Sequence, residues 1–489
     1  MKHNTPRTLF FMICLIAGSI LITSAFTPRI VTAEQKAVCV TAAADYSSGA
    51  FALVSVDPQG GPRKVQTNIH PTVSDLGVDS FGRYFYVTER YMGDNITKYD
   101  IANPTIPLWQ YSVMDETDTV STVNPYAMVF AGPTKAYVLR NNSSFAWIVN
   151  PEATEESAFK TGVLDLSAYN DQDSIGPEMI SGVIVKDKLF IVVQRLNQDD
   201  NWTPNPAYMA VFDTNTNQEI YTGKGKEKNG ILLPVKNPSA ICYEPVSNMI
   251  YVQGQGTLET SWNGTPADYS GGIVSINPDT YATSLLIDDG DEANHPWGNI
   301  SGMTVHSPDK GYFIGYNGWG NNTLYGFNPS TGEVTGIVND LLVEKNLAGM
   351  ESGAYGDKNG MLWVTSSTDA SIFIVNTDDN SIDEVISTEL NPLKIAFVSN
   401  DILQTRINNS NLIMNWYFTE NIANYTLYYA MAPLTAESEI FTFDLSALGN
   451  PAQLTVPGLP SGFSVVTAIQ GETPSGKIIF SNLADVTVP

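Results

Sequence analysis

Two short sequence marks recur in step along most of this chain, and they constrain its fold more than any other feature. The first is a compact apolar run: VCVT at 38–41, FYVT at 85–88, AYVL at 136–139, FIVV at 190–193, IYVQ at 250–253, FIGY at 313–316 and LWVT at 362–365. The second is a run that ends on Asn or Asp: SVDP at 55–58, KYDI at 98–101, IVNP at 148–151, VFDT at 211–214, SINP at 275–278, YGFNP at 325–329 and IVNT at 374–377. β-Branched and aromatic residues fill both runs and turn formers end them, as strands and their turns require. Residues 79–103 show the whole unit: turn, strand, loop, strand, turn. Units spaced by about 45–65 residues fit four-stranded propeller blades with loop insertions.

Each unit also needs a strand before its first mark. DLGVD at 75–79, YAMVF at 126–130, SGVIV at 181–185, SAICY at 239–243, GMTVH at 302–306 and SGAYG at 352–356 supply it, but the first unit has none. NPLKIAFV at 391–398 follows the last unit and parallels NPSAICYEP at 237–245. The expected fold is therefore all-β, a seven-bladed propeller over 34–400 whose last strand, 391–398, joins the first blade. Closure of that kind removes an exposed sheet edge, whereas an open stack would need polar caps that the sequence lacks.

FYVT at 85–88 and IYVQ at 250–253, with VFDTNTNQEI at 211–220 and FNPSTGEV at 327–334, resemble the YVTN-type repeat propellers of bacterial and archaeal cell-surface proteins. The resemblance spans roughly residues 37–398. It implies a fold, and says little about chemistry, because one fold hosts many activities. Residues 401–489 lose the marks and read as a small β-sandwich. Their alternating apolar residues, early Trp416 and GLPSG turn resemble a fibronectin type III domain. That resemblance implies that Trp416 is the core indole and Leu459 the corner leucine, with Phe463 where the family carries Tyr. It further implies a spacer or adhesive role.

The start of the chain reads as a targeting segment. Lys2 and Arg7 precede an apolar run at 9–26, and Val31 and Ala33 fit a cleavage site, so residues 1–33 form a signal peptide and the mature chain begins at Glu34. A retained anchor is the alternative. The expected location is extracytoplasmic: periplasmic, cell-surface or secreted. The whole chain carries 25 Lys and Arg against 51 Asp and Glu, a net charge of −26. Removing Lys2, Arg7 and Arg29 with the leader takes this to 22 − 51 = −29. So acidic a surface excludes a nucleic-acid partner and disfavours anionic lipid. No second stretch is apolar enough to span a membrane. Cys39 and Cys242 fall in well-separated blades and read as buried thiols rather than a disulfide.

Insertions mark where chemistry belongs, since loops on a rigid scaffold carry function. RLNQDDNWTPNPAYM at 195–209, GQGTLETSWNGTPADYSGG at 254–272, GYNGWGNN at 315–322 and DDGDEANHPWGN at 288–299 emerge on one face. They bring Trp202, Trp262, Trp297 and Trp319 to that face with many acids and amides. Aromatic faces beside carboxylates and amides suit flat, hydroxylated ligands such as sugars. Equally, the indoles can serve to pin long loops onto the blades. Trp262 and Trp297 flank one blade boundary and are expected to lie close together.

Asp288, Asp289, Asp291 and Glu292 are the candidate calcium ligands, ahead of the acid pairs Asp171 and Asp173 and Asp378 and Asp379; none has EF-hand spacing. Arg90 and Arg195 end equivalent strands, where they suit either an anionic ligand or salt bridges to nearby acids. His295 and His70 lie in linkers and offer a general base or metal ligand, while His306 reads as structural. No HExxH, GxSxG, P-loop, dinucleotide-binding glycine pattern or CxxCH is present. Three readings follow: a binding protein for a small molecule, glycan or envelope protein; a propeller lyase or hydrolase; and a structural surface-layer component.

Overall fold

The computed structural model describes residues 35–57, 61–171, 175–259, 264–353, 356–357, 359–399, 402–408, 411–416, 422–435, 438–448 and 453–488. The expected signal peptide lies outside the described residues, as does Trp262. The described chain is strand throughout, with a few short 3-10 turns and no α-helix. No helix in it is long and apolar enough to cross a membrane.

Seven four-stranded antiparallel sheets occupy residues 35–399. Six are meanders; that of Leu76–Phe81, Tyr84–Glu89, Asn95–Asp100 and Asn103–Ser112 is typical, and one is interrupted between its second and third strands by the small hairpin of Leu196–Asn197 and Thr203–Pro204. The exception takes its inner strand, Asn391–Ser399, from the far end of the sequence. That strand pairs antiparallel with Gln35–Ala42, placing Val38 opposite Ala396. The inner strand of each sheet neighbours the inner strand of the next, and the last neighbours the first. Every adjacent pair of sheets encloses its own hydrophobic core. One core joins Ile372 and Ile374 to Ala37, Cys39 and Ile395, where the two ends of the series meet. The molecule is a β-propeller.

Burial explains why the sequence marks have their composition. A middle strand packs on a neighbouring sheet through both faces, so Tyr84–Glu89 and Ser371–Val375 are buried almost end to end. Outer strands face a core on one side and solvent on the other. Lys160–Asp165 and Ile382–Ser387 accordingly alternate, with every second residue exposed.

The Asn or Asp of the second mark has a local task. In six sheets its side chain accepts backbone N–H bonds from the turn that follows, an Asx turn. Asp213 accepts from Asn215 (2.9 Å) and Thr216 (2.8 Å), Asn277 from Asp279 (3.0 Å) and Thr280 (2.9 Å), and Asn328 from Ser330 (2.9 Å). Asp100, Asn150 and Asn376 each accept from the residue two ahead. Four of these turns end in a left-handed residue, Asn217, Tyr281, Gly332 or Asn380. Gly332 has a second reason to be glycine: a Cβ there would lie 2.4 Å from the Leu286 carbonyl. Lysines then clasp the turns to neighbouring sheets. Lys98 donates to the Pro151 carbonyl (3.0 Å), Lys135 to that of Thr214 (2.6 Å) and Lys188 to that of Pro278 (3.1 Å), and Lys310 bonds that of Thr377.

Residues 403–487 form two further sheets. Leu403–Asn408, Asn411–Trp416 and Gln453–Val456 make one; Phe441–Asp444, Asn424–Met431, Ser464–Glu472, Ile478–Phe480 and Ala484–Thr487 make the other. They share a core in which Trp416, Leu427, Leu459 and Ile469 are buried, with Phe463 packed against it.

Candidate functional site

In a four-stranded meander, the loops joining second to third strands leave on the face opposite the hairpins just described. Most of these loops are short: 43–48, 90–94, 141–144, 317–321 and 367–370. Two neighbouring sheets carry long ones, 194–205 and 255–271, and the linker 288–298 follows directly.

Each of the three is held by its own backbone and polar side chains. The first is stapled at its base. Glu178 is buried, and its carboxylate accepts from Leu196 N–H and the Gln198 amide, both at 3.1 Å. Burial pushes Glu178 up to about 7, against the pull of those bonds. The second closes through reciprocal backbone bonds between Thr257 and Asp268, at 3.0 and 2.9 Å. Gly256 makes that closure possible: at φ +58 a Cβ would sit 2.2 Å from the Asp268 carbonyl. Asn299 of the next sheet donates to the carbonyls of Gln255 (3.1 Å) and Asp268 (3.0 Å). In the third, Asp288 accepts from Gly290 N–H (3.0 Å), and Asp291 from Ala293 (2.8 Å) and Asn294 (2.9 Å).

The three loops enclose a pocket of about 640 Å³. Asn201 and Thr203 line it from the first loop, Thr257 and residues 264–269 from the second, and Gly290, Asp291 and Glu292 from the third. The volume suits a small-molecule ligand. Trp202 sits between two lining residues, 47% exposed, in the left-handed region at φ +62. Tyr269 stacks on His295, ring centroids 4.1 Å apart and planes 8° from parallel. The Nδ1 of His295 lies 2.9 Å from the Asp291 carbonyl. A carbonyl only accepts, so Nδ1 carries the proton and Nε2 is left as the basic nitrogen.

Asp289 behaves differently from its neighbours. Its side chain is fully buried. One oxygen accepts from Gly271 N–H at 3.2 Å, and the other has no hydrogen-bond partner. Burial, with Asp288 and Asp268 nearby, pushes its carboxyl up to about 7.

The candidate residues named from sequence thus fall into different environments. Asp291 and Glu292 line the pocket, Trp202 stands between two lining residues, and His295 stacks behind the lining Tyr269. Trp297 does not present its ring there: it meets Tyr325 edge-on (5.1 Å) and Phe313 (6.1 Å), and packs on the core between two sheets. Trp319 is 74% exposed on a neighbouring loop, flanked by Gly318 and Gly320. The expected proximity of Trp262 and Trp297 concerns a residue outside the described ones.

Among the described residues no group of three or more His, Cys, Asp and Glu is placed to hold a metal ion. The reason is visible at 288–292, where Asp288 and Asp291 cap their own turns and Asp289 points inward. Arg90 pairs with Asp75 and lies 4.3 Å from the Tyr126 ring centroid. Arg195 pairs with Asp171 and also donates to the carbonyls of Tyr169 (2.9 Å) and Pro206 (2.7 Å). Both guanidinium groups are therefore engaged in holding loops. His70 meets Tyr99 edge-on, and His306 is 2.8 Å from the Ser352 hydroxyl. Burial pulls His306 down and pushes Cys39 and Cys242 up to about 12; both thiols are free.

Tyr269 is the pocket residue that sequence reasoning passed over. Its signal was available: an aromatic in ADYSGG, among residues too small to bury it.

No family model and no curated protein is similar to this sequence. Among solved structures, AztD from Citrobacter koseri is 12% identical, over 89% of this chain and 98% of that one, with a TM-score of 0.41. Virginiamycin B lyase from Staphylococcus aureus is 11% identical over 70% of this chain and 91% of that one, with a TM-score of 0.43. The Dos1 propeller is 10% identical over 78% and 89%, with a TM-score of 0.42. These likenesses are too distant to carry any activity to this chain.

Proposed function

We propose that this protein is an exported binding protein, a seven-bladed propeller of residues 34–400 followed by a spacer domain of 401–489. It holds a small polar ligand in the pocket between the three insertions. One observation carries the reading: the loops 194–205, 255–271 and 288–298 converge on a single concave space. Threonine, asparagine and carboxylate side chains supply hydrogen bonds, while Tyr269 and Trp202 supply ring surface. The location rests on the leader sequence alone, and secretion into the medium of an expressing cell tests it.

Binding is tested by screening glycans and metabolites for a shift in melting temperature, then repeating each hit with Tyr269→Leu and Trp202→Ala. Hits should be lost in at least one variant. If no compound shifts the protein, or if both variants respond like the parent, the pocket is not the site. A second reading, a lyase or hydrolase, is favoured by the fixed tautomer of His295. It requires turnover of a polysaccharide substrate that His295→Ala abolishes.

A further inference from the structure

Several acidic side chains elsewhere on the loop face have cationic partners, while others, such as the buried Glu178, are held by hydrogen bonds alone. Asp75 pairs with Arg90, Asp171 with Arg195, Asp118 with the buried Arg140, and Asp369 with Lys345. The pocket breaks this pattern. Asp268, Asp291 and Glu292 line it, and among the described residues none of them forms an ion pair. No Lys, Arg or His lines the pocket either. Behind the wall, Asp289 is wholly buried between Gly271 and Gly290 with one oxygen unpartnered. Like charges gathered on the walls of one concave space without counter-charge repel one another and favour a ligand of opposite charge. With no basic side chain in the lining, the charge of Asp268, Asp291 and Glu292 is left to be met by a ligand.

We infer that the ligand of this pocket is an organic cation, an amine or quaternary ammonium compound. The inference rests on the binding reading above and specifies its ligand class. The carboxylates supply the opposite charge. Tyr269, whose one face is covered by His295, offers its ring to a cation. A bare metal ion fits less well, because the acids do not converge as a coordinating group and the space is far larger than an ion needs. The net charge of −26 adds long-range attraction for cations of any kind. The aromatic wall and the volume select among them.

Isothermal titration of the full chain tests the class. Choline and glucosamine are titrated beside their neutral counterparts, 3,3-dimethylbutanol and glucose, and spermidine beside 1,8-octanediol, with calcium chloride as a further comparison. At least one amine should bind roughly tenfold or more tightly than its neutral counterpart, with affinity falling at high salt. The double substitution Asp268→Asn with Glu292→Gln should weaken that amine about tenfold or more while leaving the melting temperature close to the parent's. Equal affinity for an amine and its neutral counterpart overturns the inference but leaves a pocket that binds. Binding of calcium with no amine also overturns it. Failure of every amine, in a protein whose screen hits are neutral and lost with Tyr269→Leu, overturns the cation and keeps the pocket. An amine that binds the double variant as well as the parent places the cation elsewhere.

Discussion

The two faces of the ring are built by different rules. On one, sheet after sheet repeats the same hairpin: an Asn or Asp accepts the next N–H groups, a left-handed residue ends the turn, and a lysine from a neighbouring sheet clasps a carbonyl. The bonds of the Asx turn are local in sequence and recur in six of the seven sheets. On the other face no two loops match. Their bonds reach across the fold, as from Asn299 to Gln255 or from Gln198 to Glu178. The first face organises the scaffold and leaves little to vary. The second holds a left-handed Trp202, an unpaired set of acids and a buried carboxyl with an idle oxygen. Loops free of the repeat can vary, and that is where binding is expected.

The largest effect should come from opening the ring on which both faces depend. Deleting residues 391–489 removes the strand Asn391–Ser399 with Ile395 and Phe397, bares the edge of Gln35–Ala42 and exposes the core around Ala37, Ile372 and Ile374. We expect loss of cooperative unfolding in that truncation. Deleting 405–489 should leave the propeller's transition near that of the full chain. Matching calorimetric transitions for both truncations would contradict closure by this strand.

Next come single changes on the regular face. Asn277→Ala removes the acceptor for two turn N–H groups and should cost about 1–2 kcal/mol in chemical denaturation. Glu292→Gln and Trp202→Ala, on exposed positions of the other face, should stay within about 0.5 kcal/mol of the parent. If the loop substitutions destabilise as much as the turn substitution, the division between scaffold and site fails.

The strand marks were legible because an Asx turn demands Asn or Asp at one place, and each sheet repeats the demand. The closing strand was legible for the same reason, as a copy out of place. Trp297 was harder to read. Within HPWGN it looks like an exposed indole, but its partners Tyr325 and Phe313 come from two other strands of the next sheet. DDGDE invited calcium because turn caps and calcium loops draw on the same side chains, and only the fold shows Asp288 and Asp291 facing their own N–H groups. The stack of Tyr269 on His295 joins two separate loops, and neither sequence by itself shows the pairing.

A smaller effect should appear as a pH dependence at Asp289 on the irregular face. Asp289 has its carboxyl raised to about 7, above its value in an unfolded chain, so the folded state holds the proton more tightly. Its contribution to stability is complete at low pH, falls as the unfolded chain ionises from about pH 4, and is lost as pH rises through about 7. Asp289→Asn removes that loss. Relative to the parent, it should gain about 1–2 kcal/mol at pH 8 and nothing near pH 4. Denaturation curves for both proteins across that range check the sign, and a variant that is weaker than the parent at pH 8 would show that the ionised carboxylate is favoured in place.

Two substitutions in one sheet put the division itself to the test. Tyr269 precedes the strand Gly272–Ile276 on the loop face, and Asn277 follows it on the turn face. Binding of the tightest of choline, spermidine and glucosamine, and the melting temperature, should be measured on Tyr269→Leu and Asn277→Ala together. Tyr269→Leu should lose about tenfold or more in affinity and keep its melting temperature within a few degrees, while Asn277→Ala melts earlier and binds as the parent does. Unchanged affinity in Tyr269→Leu, or lost affinity in Asn277→Ala, would contradict a ligand site built on the irregular face alone.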